Sequence, residues 1–492
     1  AARPLWTAGG RPTAQARQAM SILAGSEARG LRPEDYGVAR LRRRLDHLAS
    51  ARSPSDIDVA RFDVELSLSL MRLASHLHSG RVDPRRLRFD LPETHAAFDP
   101  AAVVTAMSRA TDVDAVVRGV EPRYAGYRAL SGALARYRAL AAGADLRPPA
   151  PPRTIRPDSV YRDAPALRRW LSALGDMPFG STSPAPAADT IYRGDLVRGV
   201  IAFQRRHGLD ADGIIGPATA AQLRVPLERR VRQIELAMER WRWLPDTVPG
   251  RTIIVNVPAF RLYAFERDGS LAAPLVSMNV VVGEAESGNG TPLFTGTMRE
   301  VVFQPYWDVP PSIARSELLP KIRRDAGYMD REQLELVRGG DHDAVVFPPT
   351  PENLRLVAQG TLRIRQRPGA LNSLGPVKFL FPNRYNVYLH GTPAPELFAR
   401  SRRDFSHGCI RLEDPAALAR WVLDGQAGWD SVSVTTAMTT GRHSRRVRVA
   451  RPVQVYMLYA TAVAEEDGNV RFHPDIYGHD GVLLGALGWR AE

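Results

Sequence analysis

The spacing of apolar residues changes its period near residue 250, and this change constrains the fold more than any other feature of the chain. Upstream, apolar residues recur at helical spacing, as they do over residues 62–77. Downstream, short β-branched runs such as 252–257 alternate with turn residues, which is typical of strands. A chain of 492 residues is also too long for one hydrophobic core. The sequence therefore predicts an α+β multidomain protein.

The part before residue 250 divides at a proline-rich segment. Residues 1–150 carry helical stripes without visible chemistry, and a further amphipathic helix over 226–245 is predicted to pack back onto them. Residues 146–158 are rich in proline, which fixes φ and lacks an amide donor, so we predict a semi-rigid linker there. Residues 159–225 then form a small helical module. Its segment 210–213 lacks the regular ligands and closing glutamate of a calcium-binding EF-hand.

Cys409 is the only cysteine of the chain and lies within residues 406–411, Ser-His-Gly-Cys-Ile-Arg. A histidine, His390, ends a strand-like run upstream. A thiolate is a strong nucleophile, and an imidazole can remove the thiol proton at neutral pH. Asp414 and Pro415 are typical of a helix start, which predicts that Cys409 lies in a turn between a strand and a helix.

Two other roles for Cys409 compete with that of a nucleophile. A lone cysteine is most often a small buried apolar residue. Its neighbours Ser406, His407 and Gly408 are polar or flexible, however, and are not typical of a core segment. A zinc site formed by His390, His407 and Cys409 would lack the closely spaced ligand pairs of structural zinc sites. The sequence therefore favours the nucleophile.

Composition narrows the function classes further. The net charge is +13, but the basic residues are spread along the chain and no nucleic-acid motif is present, so we predict an arginine-rich surface and no nucleic-acid partner. One cysteine excludes an intramolecular disulfide. No apolar run approaches the ~20 residues of a membrane span. The chain begins without a methionine, so we expect any export signal or membrane anchor to lie outside it.

Several segments resemble known enzymes of the bacterial cell wall. His-Gly-Thr at 390–392, followed by Ser-His-Gly-Cys-Ile-Arg, resembles the signature of the YkuD-type L,D-transpeptidases, which cross-link peptidoglycan. Residues 303–313 and 378–390 resemble the large periplasmic members of the YcbB type. Residues 204–219 resemble the peptidoglycan-binding module often attached to wall enzymes. One departure is Gly391, where many relatives carry an aspartate.

The resemblance implies an architecture. A helical scaffold domain would cover 1–150, completed by the helix over 226–245, and the peptidoglycan-binding module would cover 159–225. A mostly-β catalytic domain would extend over 250–492. Its polar stretch 311–374 would be an inserted capping subdomain that keeps water from a thioester intermediate.

Local patterns add detail to the expected catalytic domain. Within the insertion, residues 314–324 and 331–337 are expected to be helical, and a strand is expected to begin at Ser431.

The resemblance also implies roles for the site residues. Cys409 would attack the amide between the third residue of a stem tetrapeptide and its terminal D-alanine. His390 would be the general base, oriented by a backbone carbonyl near Gly391, and would later activate the acceptor amine. Alternation along a strand places Tyr388 on the same face as His390, so its hydroxyl and the amides of Gly408 and Cys409 are candidates for stabilising the oxyanion.

Three further residues of the motif are expected to hold substrate. Arg411 could bind a stem-peptide carboxylate with both of its terminal nitrogens, and His407 and Ser406 would contact the peptide. The competing interpretations are a surface arginine at 411 and, for Tyr388, a strand aromatic in the core.

The expected enzyme is an L,D-transpeptidase that forms 3→3 cross-links without metal or cofactor. The resemblance places it in the periplasm, with peptidoglycan stem peptides and glycan as partners and carbapenems as covalent inhibitors. With water or another amine as acceptor it would be an L,D-carboxypeptidase or a lipoprotein-attaching transpeptidase. A metal-dependent peptidase and a non-catalytic wall-binding scaffold are the alternatives from other classes.

Overall fold

The computed structural model describes residues 3–91, 98–143, 146–151, 153–177, 190–266, 269, 271–325, 327–340, 343–441, 443–465 and 468–489. The chain forms two compact units. The first takes residues 1–248, 268–272 and 459–492, and the second takes 249–267 and 273–458. Across the described ranges, no helix is both long and apolar enough to cross a lipid bilayer.

Helices make up most of the first unit and flank the sheets of the second. In chain order they are α1 (Ala14–Ala24), α2 (Val38–Ser50), α3 (Asp56–Ser79), α4 (Pro100–Arg109), α5 (Val113–Arg118), α6 (Ala125–Ala142), α7 (Ala164–Leu174), α8 (Asp195–Arg206), α9 (Pro217–Leu223), α10 (Leu227–Trp241), α11 (Pro311–Ile313), α12 (Leu319–Arg324), α13 (Tyr328–Arg331), α14 (Pro351–Gln359), α15 (Pro415–Leu423), α16 (Ser431–Thr439) and α17 (His479–Ala486).

Strands are short in the first unit, and the longer ones lie in the second. In chain order they are β1 (Thr7–Ala8), β2 (Arg11–Pro12), β3 (Phe89–Asp90), β4 (Ser159–Val160), β5 (Ile191–Tyr192), β6 (Thr252–Asn256), β7 (Arg261–Phe265), β8 (Val276–Gly283), β9 (Leu293–Phe303), β10 (Trp307–Asp308), β11 (Leu334–Arg338), β12 (Val345–Phe347), β13 (Arg363–Gln366), β14 (Val377–Leu380), β15 (Leu389–His390), β16 (Asp404–Ser406), β17 (Ile410–Leu412), β18 (Arg445–Leu458), β19 (Ala462–Ala464) and β20 (Val470–Phe472).

Helix α3 illustrates why the start of the chain is helical. The Ser55 hydroxyl accepts a hydrogen bond from the amide of Asp58 at 3.1 Å and so caps the helix. The apolar stripe from Phe62 to Leu77 is fully buried, and each such side chain contributes about 1.5–3 kcal/mol through the hydrophobic effect. The helix ends at Gly80, whose φ is +83°. The helical prediction for this part of the chain is confirmed.

The last segment of the chain belongs to the first unit. We expected the catalytic domain to continue to residue 492, but residues after Leu458 join the helical unit instead. Apolar side chains of this segment are buried: Phe472 and Leu483 are almost fully inaccessible to solvent. In addition, Arg206 of α8 donates a hydrogen bond to the carbonyl of Val470 at 2.9 Å.

The predicted module contains α7, α8 and α9. Gln204 organises its glycine-rich turn: the side-chain oxygen accepts from the amide of Gly213, and the side-chain nitrogen donates to Asp212 and Ile214. The segment before it is tied to the module, since Ile155 and Ile215 exchange backbone hydrogen bonds. Residue 152 of the predicted linker lies outside the described residues.

The main sheet of the second unit closes on itself. Its strand order is β14-β15-β17-β8-β7-β6-β18-β9, and β9 pairs again with β14. Strand β16 adds a parallel pairing to β8. Every residue of β6 is buried, as expected for a strand that is covered on both faces. The mostly-β prediction for this part of the chain is confirmed.

The inserted stretch has its own sheet and core. Strands β10, β13, β11 and β12 pair in that order, and α11 to α14 pack on them around Leu336 and Ile364. The sheet therefore includes residues 307–308, before the predicted start at 311. The expected helix over 331–337 is wrong, because residues 334–338 form β11, which pairs with β12 and β13.

A second local correction concerns residues 431–434, which we expected to begin a strand. They begin helix α16, because Asp430 caps it by accepting from the amide of Ser433 at 2.7 Å. Val434 and Ala437 then bury one face of the helix. The cap outweighs the strand preference of the two valines.

Candidate active site

Two short parallel strands bring the predicted histidine beside the cysteine motif. In the β15–β17 pair, Leu389 lies opposite Ile410 and His390 lies opposite Arg411. The amide of Ile410 also donates to the carbonyl of Tyr388 at 3.1 Å. Because paired residues of neighbouring strands share a face, His390 and Arg411 project to the same side of the sheet.

Cys409 lies in a turn between two strands, β16 and β17. The predicted strand-to-helix turn is therefore wrong, although α15 does begin at Pro415 with Asp414 as its cap. The turn depends on Gly408, whose φ of +112° is unfavourable for any residue with a Cβ atom. The carbonyl of Gly408 is held by the hydroxyl of Thr291 at 2.9 Å.

Ser406 holds this turn together. Its hydroxyl donates to the carbonyl of Cys409 at 2.5 Å and accepts from the amide of Gly408 at 3.2 Å. Ser406 is only 3% exposed, so its hydroxyl stabilises the turn. This differs from the prediction that Ser406 contacts the substrate. The amide of Gly408, which we expected to stabilise the oxyanion, already donates its hydrogen bond to the Ser406 hydroxyl. Over the described residues the Cys409 amide has no acceptor and is therefore a free backbone donor in this turn.

His390 is buried and held in one orientation. Its Nδ1 lies 2.6 Å from the carbonyl oxygen of Gly391, as expected for a histidine without an aspartate partner. Because a carbonyl only accepts, Nδ1 carries the hydrogen and Nε2 is left as a proton acceptor. Burial, and then the charge of Arg411, lower the pKa of His390 to about 3. The imidazole is therefore neutral near pH 7.

The space at position 391 is small. A Cβ atom at Gly391 would lie 3.0 Å from Pro376 Cδ and 3.3 Å from the carbonyl oxygen of Leu374. Such contacts are tighter than ordinary van der Waals packing, so an aspartate at 391 would need the neighbouring backbone to shift. The backbone carbonyl does the orienting instead.

Tyr388 faces the thiol. Its ring centroid is 5.6 Å from that of His390, and its hydroxyl lies close enough to the thiol of Cys409 for each group to affect the pKa of the other. Burial, and then the negative charge that Cys409 can carry, raise the pKa of Tyr388 well above its ordinary value. The hydroxyl therefore keeps its proton and remains a donor. A contact with Trp307 lowers the pKa of Tyr388, but by less than burial raises it.

Cys409 is half-buried, and its Sγ lies 3.7 Å from the carbonyl oxygen of Asn386. Burial raises the pKa of the Cys409 thiol, while hydrogen bonds from Tyr388 and the charge of Arg411 act in the opposite direction. Burial thus favours the neutral thiol of Cys409 at rest.

His407 and Arg411 lie on either side of Cys409. His407 is exposed, and its Nε2 is 2.7 Å from Oε1 of Glu317, a residue of the insertion. Burial lowers the pKa of Arg411, and within the described ranges Arg411 has no carboxylate partner. Arg411 is thus available for an anionic group of a substrate.

Sequence reasoning missed Asn386, Thr291 and Glu317. Asn386 adopts φ +54°, which asparagine tolerates better than most residues, and this is a weak signal that could have marked it. Thr291 and Glu317 reach the site only through the tertiary fold. Among the described residues, no group of three or more His, Cys, Asp or Glu side chains could hold a metal ion.

Comparison with known proteins identifies three regions. Residues 250–449 match the family model of the YkuD L,D-transpeptidase catalytic domain, and residues 1–134 match a "Scaffold domain". Residues 162–223 match a "Putative peptidoglycan binding domain". A "Putative L,D-transpeptidase" of Haemophilus influenzae is 32% identical over 260 residues, which are 52% of this chain. The chain spans 50% of the length of that relative.

Proposed function

Because the chain contains a YkuD-type L,D-transpeptidase catalytic domain and a peptidoglycan-binding domain, we propose that it forms 3→3 cross-links in peptidoglycan through an acyl-enzyme on Cys409. The observation that carries the proposal is the position of the Cys409 thiol, which lies in the turn formed by Gly408, beside the Tyr388 hydroxyl. This turn directly precedes β17, the strand that pairs with the strand of a neutral His390. These are the groups that acyl transfer by a thiol requires.

In the first step the donor stem acylates the enzyme. His390 Nε2 takes the proton of Cys409, and the sulfur attacks the carbonyl carbon of the third residue of the tetrapeptide. The Tyr388 hydroxyl and the Cys409 amide donate hydrogen bonds to the oxyanion. The C–N bond then breaks, and His390 returns the proton to the departing amine of D-alanine. The product is a thioester on Cys409 with a neutral His390.

In the second step an amine replaces the sulfur. The side-chain amine of the third residue of an acceptor stem attacks the thioester carbonyl, and His390 takes one of its protons. The C–S bond breaks as the C–N bond forms, and the proton passes to the sulfur of Cys409. The insertion would limit access of water to the thioester. Arg411 would hold a donor carboxylate.

The same proposal places the enzyme in the periplasm, where its substrate lies, and makes it a target of carbapenems, whose strained lactam carbonyl can acylate the same thiol. A membrane anchor outside these residues would be compatible with this location. No metal or other cofactor takes part in either step.

The test uses the purified chain, a disaccharide-tetrapeptide, and intact-protein mass spectrometry with Cys409→Ala as control. We expect an acyl adduct that depends on Cys409, and muropeptide dimers linked through their third residues. An adduct that yields only tripeptide would favour an L,D-carboxypeptidase, and transfer to another amine would favour a lipoprotein-attaching enzyme. A folded chain that binds sacculi without adduct would refute the enzyme.

A further inference from the structure

One acidic side chain reaches the loop that carries Cys409. Glu317 Oε1 lies 2.7 Å from His407 Nε2, and His407 is separated from Cys409 by Gly408 alone. Glu317 comes from the insertion, where residues Ala314–Leu318 form a π-helical turn. Such turns are rare, and they often occur at functional sites because the extra residue redirects the side chains around it.

The charges on the two sides of Cys409 have opposite signs. On the sheet, Arg411 lies opposite His390 on one neighbouring strand and Lys378 lies opposite His390 on the other. On the loop side stands the carboxylate of Glu317, whose side chain is 39% exposed. In the part of the chain that the structure describes, only Oε1 of Glu317 has a partner. The second oxygen can therefore accept a hydrogen bond from a cation that enters from solvent.

In the two substrates of a 3→3 cross-link, the charged groups nearest the reacting atoms differ in the same sense. The donor carries the carboxylate of its terminal D-alanine close to the reacting amide. The acceptor brings a side-chain amine, which resembles that of lysine and is an ammonium at neutral pH. The cationic residues of the sheet would attract the donor carboxylate, and the acidic side chain would attract the acceptor ammonium.

We propose that Glu317 binds the ammonium of the acceptor stem and thereby favours an amine over water in the second step. The inference rests on the proposed transpeptidase function and adds a residue that determines acceptor specificity. His407 acts as a positioning residue, since its imidazole holds Oε1 of Glu317 and leaves the second oxygen for the ligand.

The chemistry balances without a further reactant. The bound ammonium releases one proton to solvent and becomes the neutral amine that attacks the thioester. The second proton goes to His390 as the C–N bond forms, and from there to the sulfur as the C–S bond breaks. Glu317 binds the acceptor electrostatically and stays unchanged.

The test compares Glu317→Gln with Glu352→Gln, a matched change at an exposed carboxylate of the same insertion. Three quantities are measured: the rate of acyl-enzyme formation without acceptor, the KM for a stem tripeptide ending in a diamino acid, and the ratio of cross-linked dimer to hydrolysed tripeptide. For Glu317→Gln we expect the KM to rise and the ratio to fall by about three- to tenfold, as for loss of one partly exposed charged contact. Acyl-enzyme formation should change far less, and Glu352→Gln should match wild type in all three.

Two outcomes would overturn the inference. In the first, Glu317→Gln retains the wild-type KM and product ratio. In the second, the rate of acyl-enzyme formation falls as much as cross-linking does, which would mean that Glu317 only supports the loop of His407. Glu317→Asp should recover part of the product ratio, because the charge is restored at a shorter reach.

A binding experiment separates this inference from the proposed function. Cys409→Ala cannot form an adduct, so calorimetry with the stem tripeptide and with its side-chain N-acetylated form measures acceptor recognition alone. We expect the free amine to bind more tightly than the acetylated form, and Glu317→Gln to remove that preference. An equal preference with and without the Glu317 carboxylate would refute the acceptor site, even in an enzyme that cross-links.

Discussion

The Nδ1–H of His390 is donated to the carbonyl oxygen of the next residue, Gly391, across 2.6 Å. This bond fixes the ring and its tautomer without a second side chain, so the base is oriented by the backbone of the strand on which it stands. It leaves Nε2 as the acceptor nitrogen of the ring, the atom that we propose receives the proton of Cys409.

The first prediction separates the two histidines of the motif region. His390→Ala should lower the rate of acylation of Cys409 by about 10²–10⁴-fold, the range typical of a lost general base. His407→Ala should retain most of that rate, because His407 is exposed and bonded to Glu317. Intact-protein mass spectrometry with a carbapenem measures both. If His407→Ala lost acylation while His390→Ala acylated at a nearly normal rate, His407 and not His390 would be the base.

The second prediction concerns stability at low pH. The pKa of His390 is about 3 in the folded protein, against roughly 6.5 for an unperturbed histidine. Between these values only the unfolded chain takes up the proton, so stability is complete above about pH 6.5 and falls as the pH drops toward 3. At pH 4 the loss from this group is on the order of 3 kcal/mol. In His390→Gln, the free energy of unfolding measured with urea should fall by that much less between pH 7 and pH 4. If the free energies of the two proteins fell in parallel with pH, the low pKa of His390 would be contradicted.

The third prediction concerns the Tyr388 hydroxyl. Tyr388→Phe removes a donor aimed at the reacting centre and leaves the ring, so acylation should slow by about 10–10³-fold while the melting temperature changes little. Tyr263→Phe on β7, in the same sheet, is a suitable control and should acylate like wild type. Acylation of Tyr388→Phe at the wild-type rate would show that the tyrosine is only packing.

Local sequence signals predicted most elements, and the main failures arose where a competing local signal or a tertiary contact outweighed the pattern. The stripe over residues 62–77 predicts α3 because the buried face of that helix is encoded in consecutive residues. The run at 431–434 misled because its valines favour a strand, while the cap by Asp430 favours a helix. The run at 331–337 misled because pairing with β12 and β13 outweighs helical periodicity.

The same distinction holds for the candidate site. The proximity of Tyr388, His390 and Cys409 could be expected from alternation and from the motif. The role of Ser406 could not, since its hydroxyl closes the turn only when Gly408 adopts a positive φ. The contact of Glu317 with the loop forms only when the insertion is folded. Because Glu317 lies far from the motif in sequence, no local pattern could predict this contact.

The last prediction concerns a buried ion pair of the first unit. Arg206 Nη2 lies 2.6 Å from Asp176 Oδ2, and both side chains are almost fully buried. Arg206 also donates to the hydroxyl of Tyr137 at 3.0 Å. Asp176→Asn would leave the guanidinium buried without a counter-charge, which costs about 3–5 kcal/mol. At ~2–4 °C per kcal/mol for a unit of this size, the melting temperature should fall by roughly 6–20 °C.

Asp195→Asn is the matched control, because Asp195 pairs with the exposed Arg198 on α8 and its loss should cost at most about 1 kcal/mol. Differential scanning fluorimetry compares the two variants with wild type. Acylation of Cys409, assayed below the first melting transition, should be unchanged in both, since Asp176 and Cys409 belong to different units. Equal melting shifts for the two variants would mean that the Arg206 charge is compensated by its neutral hydrogen-bond partners alone.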